Sequence, residues 1–294
     1  MRRALTSLFV AIAAIVALHA QAPAPAFEAA TIKPSDPTTP GQFVRRQPGG
    51  RFSTSNMPLR ELVRFAYQVQ DFQLENIPGW ASTERYDIIA KADGDPPPVL
   101  PGTGPDQLML MLRTLLAERF QLKVHNETKE MPIYALVRLR PDRLGPRLEQ
   151  STVDCLTLIQ SMQAAARAGG PAPAPPPPDA SGRPTCGIRG GFGSLAGNGF
   201  PLNQLSATLS QLVRRTMIDR TGLSGTWAFD LKFAPDPNAL PPGGLPPGTQ
   251  PPVADPDSPS IFTAVEEQLG LKLESTRGPV EMLVIDRLER PTPD

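Results

Sequence analysis

The sequence predicts an α+β protein of two similar units. Each unit reads strand, helix, strand, helix, hairpin, with helices on one face of mainly antiparallel sheets. Three observations carry this. Residues 200–236 lie on 57–93 without a gap at a shift of 143. Pro58-Leu59 then meets Pro201-Leu202, Leu62 meets Leu205, Gly79 meets Gly222, Asp87 meets Asp230 and Asp93 meets Asp236. At a shift of 149, Ile261–Arg287 falls on Leu112–Arg138, with Leu122-Lys123 under Leu271-Lys272. Both halves also run in one order: a helical stripe, a glycine turn, an alternating run ending in an acid, a Pro-rich loop, a second helix and a hairpin. Self-similarity at a fixed offset is the signature of a repeated unit, and helices set against an antiparallel sheet are the α+β solution.

The elements follow in chain order. Phe27–Ile32 alternates enough for a strand, and Gly50–Thr54 is a second. Asn56 offers a helix cap, with Pro58 in the first turn. Leu59, Leu62, Val63 and Ala66 fall on one apolar face. Pro78-Gly79 breaks that pattern, and Arg85–Ala92 reads as a strand with Tyr86, Ile88 and Ala90 on one side. Leu108, Met111, Leu112, Leu115 and Leu116 stripe the next helix. Leu122–His125 and Ile133–Leu139 are expected to pair as a hairpin around Asn126–Met131. In the second unit Leu202, Leu205, Leu209 and Leu212 stripe a helix, and Trp227–Phe233 alternates as a strand. Ser258-Pro259 opens the last helix, and Leu271–Leu273 with Val280–Ile285 forms the final expected hairpin.

Composition sets the boundaries. Met1-Arg2-Arg3, an apolar run from Leu8 to Leu18 and Ala20-Gln21-Ala22 read as a signal peptide over residues 1–22, cleaved near Gln21. The apolar run is short of the ~20 residues a spanning helix needs. The first unit is expected at 27–143 and a Pro/Ala-rich linker at 144–190. The second unit is expected at 191–290, with a Pro/Gly-rich insertion at 235–259. Thirty-seven prolines cluster in these linkers. The formal charge is zero, which gives no electrostatic drive toward nucleic acid or anionic lipid. Cys155 and Cys186, an even pair in an exported chain, are expected to form a disulfide.

Chemistry-bearing residues are few. After the signal peptide His125 is the only imidazole. It stands at a strand end, where Glu274 occupies the matching place in the second unit, and no G-x-S-x-G elbow accompanies it. Gly191-x-Gly193-x-x-Ala196 lies within a glycine-rich run, Gly190–Gly199, outside the strand-to-helix context that a dinucleotide loop requires. Asp87 and Asp230 follow aromatics and so point to the polar face of their strands. Tyr86 and Trp227 read as core, and Trp80 as the most exposed aromatic. Arg214-Arg215 is too small for a basic patch. No catalytic, cofactor-binding or metal-ligating residue is assigned, no cofactor is expected, and the cysteines lack C-x-x-C spacing.

Several segments resemble a known family. Phe27–Pro34 is similar to its opening strand, and Pro78-Gly79-Trp80 with Arg85–Ala92 to its central signature. Leu115–His125, Asp219–Gly225 and Leu269–Glu274 match its later motifs. These resemble the soil-associated exported protein family of unknown function, a paralogous group in soil bacteria, and the likeness covers nearly the whole mature chain. The resemblance implies no catalytic residues. Related domains fused to membrane-bound sensor peptidases imply an extracytoplasmic sensing or binding module. The unit is also similar in element order to small α/β domains of secretins and outer-membrane receptors. The expectation is therefore a non-catalytic binding or sensor module of the cell envelope, periplasmic or extracellular, acting on an envelope protein or small ligand. The alternatives are an exported hydrolase using His125 and a structural envelope component.

Overall fold

The computed structural model describes residues 24–36, 38, 41–96, 105–153, 155, 158, 161, 164–165, 177–178, 183–191, 193–235 and 257–291. The expected signal peptide and most of the 235–259 insertion lie outside these residues.

The first half opens with β1 (Ala29–Pro34), β2 (Phe43–Gln47) and β3 (Arg51–Pro58). Helix α1 (Leu59–Tyr67) buries Leu59, Leu62, Val63 and Ala66, the stripe its sequence spells out. It closes on Gln68, a left-handed residue whose N–H donates to the Arg64 carbonyl. A 3₁₀ turn (Asp71–Gln73) leads to β4 (Leu74–Glu75), short helix α2 (Trp80–Thr83) and β5 (Arg85–Lys91). In α3 (Gln107–Arg119) the Asp106 carboxylate caps the N-terminus by accepting from the Met109 N–H. Strand β6 (Lys123–Arg138) ends the half.

The second half carries β7 (Leu148–Gln150), β8 (Gly187–Gly191), β9 (Ser194–Phe200), α4 (Leu202–Val213), β10 (Met217–Asp219) and β11 (Trp227–Lys232). Helix α5 (Ile261–Ala264) runs on into a π turn (Val265–Leu269), and β12 (Leu271–Arg287) completes the fold.

Two expected hairpins are absent. β6 and β12 are each one unbroken strand, and they pair with each other in an antiparallel ladder from Leu271–Arg138 to Arg287–Lys123. The polar stretch Asn126–Lys129 resembles a turn by composition, but it alternates across this ladder with Met282 and Val280 opposite Glu127 and Lys129. Gly278 is buried within the strand, and a Cβ there would stand 2.6 Å from Ile133 Cδ1. That glycine answers a close approach, not a turn. Asn56 is likewise no helix cap. It sits inside β3 at φ 55°, while the Leu59 N–H donates to the Glu84 carbonyl. The last helix is capped by Ser260, whose hydroxyl accepts from the Thr263 N–H, two residues beyond Ser258.

Among the described residues three four-stranded sheets result. The outer sheets run β1-β5-β3-β2 and β7-β11-β9-β8, all antiparallel. The central sheet runs β10-β6-β12-β4, with β10 parallel to β6 and β4 parallel to β12. Each half thus lends its short strand to the other half's long one. The cores interlock as well. Leu283 and Ile285 of β12 pack with α1 and α3, and Leu136 of β6 packs with α4. β7, inside the stretch whose composition marks a linker, is an edge of the second outer sheet, with Leu148 buried. Cys155 and Cys186 are disulfide-bonded, their Cα atoms 5.5 Å apart.

Leu59, Leu62, Ile88, Leu202, Leu205 and Leu231 are all buried. The strand register nevertheless departs from the 143-residue shift. Met57, after a one-residue bulge, faces Tyr86, and Phe200, after an equivalent bulge, faces Trp227. Tyr86 therefore corresponds to Trp227 and Ile88 to Phe229, and Asp87 does not correspond to Asp230. The cause is α2, which has no helical counterpart between Gly222 and Trp227, so that connection is two residues shorter.

Candidate functional site

A concavity lies on the outward face of the first outer sheet. In β3 the inward positions Phe52 and Thr54 are buried, so alternation turns Ser53 and Ser55 outward. On one side β2 presents Phe43 opposite Ser55 and Arg45 opposite Ser53. On the other side β5 presents Ile89 opposite Ser53. Asp87 is the next outward residue along β5. Lys33 of β1 faces Asp87 across the next ladder. Two small side chains between larger ones leave a trough of about 370 Å³. Its walls are apolar and exposed, Phe43 at 45% and Ile89 at 64%.

Lys33 and Asp87 are cross-strand neighbours, yet the carboxylate is occupied elsewhere. Asp87 Oδ1 accepts from Ser35 Oγ at 2.6 Å and from the Asn56 N–H at 2.8 Å. Arg45 lies with its guanidinium carbon 5.4 Å from the Phe43 ring centroid, a cation–π arrangement that holds the cation at the trough's edge. Asp87 thus orients the β1–β5 end of the trough, and Lys33 and Arg45 stand at its two sides.

The other residues singled out by sequence are dispersed. His125 is at the exposed end of β6, where its Nδ1 lies 2.9 Å from Asp286 Oδ1 of β12. Asp230 is on the second outer sheet, with Arg147 Nη1 3.4 Å from its Oδ2. Tyr86 and Trp227 are buried. Trp80 is half-buried beneath Arg290, whose guanidinium carbon is 4.8 Å from the ring centroid. The glycine-rich run forms the β8–β9 hairpin, where Gly197 makes room for the Phe229 ring and Gly199 for Cys155 Sγ. Arg214 ends α4 in a left-handed conformation, and Arg215 stacks on Tyr134 at 4.8 Å. Among the described residues no three His, Cys, Asp or Glu side chains come together as a metal site. No helix among them is long and apolar enough to cross a membrane.

Sequence reasoning placed Asp87 on the polar face of its strand without assigning it a role, and did not single out Lys33, Phe43, Arg45, Ser53, Ser55 or Ile89. The available signal was Ile88-Ile89, where an apolar residue occupies a place that strict alternation reserves for solvent. No curated protein and no solved structure matches the chain. A family model described as "Protein of unknown function (DUF3738)" matches residues 60–288, from α1 to the last strand. The chain belongs to this uncharacterised DUF3738 family.

Proposed function

We propose that the protein is an exported, non-catalytic binding module of the cell envelope, built from two copies of one α+β unit, whose ligand lies in the trough on the first outer sheet. The observation that carries this is the outward pair Phe43 and Ile89, exposed on either side of a serine floor. Two large apolar side chains held open to water by a rigid sheet lose contact with water when a ligand covers them. Each Å² so covered is worth about 25 cal/mol. Export is supported by the charged and apolar N-terminus and by the Cys155–Cys186 bond. The duplication is supported by the matching strand orders of the outer sheets and by the crossed pairing of β4 and β10.

The trough is tested with Nile red, a neutral apolar dye. Its fluorescence should rise with the wild-type protein and fall back in Phe43→Ser and Ile89→Ser. Equal fluorescence in all three proteins sinks this reading. Export is tested by N-terminal sequencing from the native host, where an intact Met1 in cytosolic protein refutes it.

One observation favours a second reading, an exported hydrolase. The His125–Asp286 contact is the pairing a general base uses to fix its tautomer. A panel of ester and peptide substrates with His125→Ala decides. Turnover that disappears in the variant establishes the hydrolase.

A further inference from the structure

We infer that the trough binds a single-chain amphiphile with an anionic head, and that the second outer sheet has no such site. This rests on reading the trough as the ligand site. The argument starts from charge. The chain is formally neutral, but the outward face of the first outer sheet is not. Strand alternation places Lys33, Arg45, Arg51, Arg85 and Lys91 on it, against the single carboxylate of Asp87. That carboxylate is already bonded to Ser35 and Asn56. Among the described residues Lys33 and Arg45, the two cations that line the trough, are paired with no carboxylate. A cation beside an apolar wall and a hydroxyl floor suits an anion whose body is apolar. The guanidinium and ammonium groups take the head, Ser53 and Ser55 offer hydroxyl donors beneath it, and Phe43 with Ile89 clasps the chain. β1 and β2 are separated by three strand spacings, ~14 Å, so the trough admits an extended chain lying across the sheet.

The second outer sheet supplies the control. Its ladders put Gly187 opposite Asn198, Ala196 opposite Asp230 and Ala228 opposite Glu149. Gly187 and Asp230 thus stand where the first sheet has Phe43 and Ile89, and Glu149 stands where it has Lys33. Both apolar walls are missing, and a rim cation is replaced by an acid. Two cations nearby are engaged, Arg147 with Asp230 and Arg183 with Glu149, while Arg189, opposite Ala196, keeps the place that Arg45 has opposite Ser53. One fold position therefore carries an amphiphile site in one half and, in the other, a polar surface without apolar walls and with Glu149 in place of one of the two cations.

The test is a two-dimensional NMR titration of the full mature protein with three ten-carbon probes below their micelle-forming concentrations: decanoate, decanol and decyltrimethylammonium. Decanoate should shift amides of β2, β3 and β5 while leaving β8, β9 and β11 in place. It should bind about tenfold more tightly than decyltrimethylammonium at low salt, with the gap narrowing as salt screens the exposed cations. In the Lys33→Gln/Arg45→Gln double variant, decanoate should fall to the affinity of decanol while thermal unfolding stays unchanged. Four results overturn the inference. If the ammonium probe binds the trough as tightly as decanoate, the anionic class is wrong and the reading of the trough as a ligand site stands. If the double variant keeps the preference for decanoate, Lys33 and Arg45 do not set it. Equal shifts in β9 and β11 overturn the asymmetry. If none of the three probes shifts the first outer sheet, the inference and the underlying reading fall together.

Discussion

The outer sheets β1-β5-β3-β2 and β7-β11-β9-β8 run in the same order. In each, the strand before the first helix bulges at a left-handed residue, Asn56 at φ 55° and Gly199 at φ 80°. Their inward faces also agree in kind. Ile32, Phe52, Tyr86 and Ile88 in one half stand where Leu148, Leu195, Trp227 and Phe229 stand in the other, all buried. Their outward faces keep a cation at Arg45 and Arg189 and at Lys91 and Lys232, but differ at the trough's walls, with Phe43 against Gly187 and Ile89 against Asp230. Close-packed interiors admit apolar exchange at roughly conserved volume, whereas an outward position on a sheet is held by no such constraint. The halves therefore differ most on the solvent side, and that is where a function confined to one half would reside.

The largest expected effect comes from separating the halves. β4 has its ladder partner in β12, and β10 has its partner in β6. A fragment ending at Arg143 would expose the β6 edge and strip Leu283 and Ile285 from its core. Such a fragment should show no cooperative urea transition. The chain cut between Ala164 and Pro178 and then reduced should stay associated through the β6–β12 ladder on gel filtration. Two fragments that elute apart, each folded, would mean that the halves are autonomous domains.

Next in size are matched core truncations. Leu62 and Leu205 are both fully buried at equivalent helix positions. Leu62→Ala and Leu205→Ala should each cost about 2–5 kcal/mol, and the two costs should agree to about 1 kcal/mol because the surrounding packing is the same in kind. A near-neutral Leu205→Ala in urea denaturation breaks the equivalence of the halves.

A smaller contrast sits at the bulges. Asn56 tolerates its left-handed backbone and donates from Nδ2 to the Gly41 carbonyl at 2.8 Å. Asn56→Gly trades that bond for relief of backbone strain and should change stability by less than about 1 kcal/mol. At Gly199 an added Cβ meets Cys155 Sγ as well as the positive φ. Gly199→Ala should cost about 2 kcal/mol or more, and part of that cost should vanish when the disulfide is removed. If reduction restores nothing, the Cys155 contact is not what fixes glycine there.

The sequence stripes of α1, α3 and α4 were legible because each buries one face against a sheet, and the 3.6-residue period records that directly, although Leu212, expected to continue the α4 stripe, is 43% exposed near the helix's end. The strands β6 and β12 were not, because their middles are polar and carry Asn126, Gly278 and Pro279, residues that also make turns. Only a partner contributed by the other half decides between the two, and no local pattern encodes that. β7 was hidden for a related reason. Three residues with one apolar side chain, Leu148, give no period of their own. Little of the trough was legible. Asp87 could be placed on a polar face by alternation, but Phe43 and Arg45 became its neighbours only through the β2–β3 ladder.

The smallest effect separates the halves by pH. Tyr86 in the first half corresponds to Trp227 in the second, and only the first can ionise. Burial of the ring, helped by the nearby Glu84 carboxylate to which Tyr86 Oη donates at 3.1 Å, pushes the phenol from its ordinary value near 10 up to about 12. Glu84 is kept charged by Arg290, whose guanidinium bonds it in two places and holds its carboxyl below the usual range. The neutral phenol is the form that the fold prefers. Its contribution to stability is therefore fully present below the unfolded value near 10, and it is lost as pH rises through about 12. The urea midpoint of the wild-type protein should fall between about pH 10 and about pH 12, with the fall reduced in Tyr86→Phe and retained in Trp227→Phe. Tyrosinate absorbance recorded in the same titration identifies the transition. If Tyr86→Phe leaves the alkaline fall unchanged, the loss arises elsewhere, and the two strands β5 and β11 do not differ in the way their central aromatics imply.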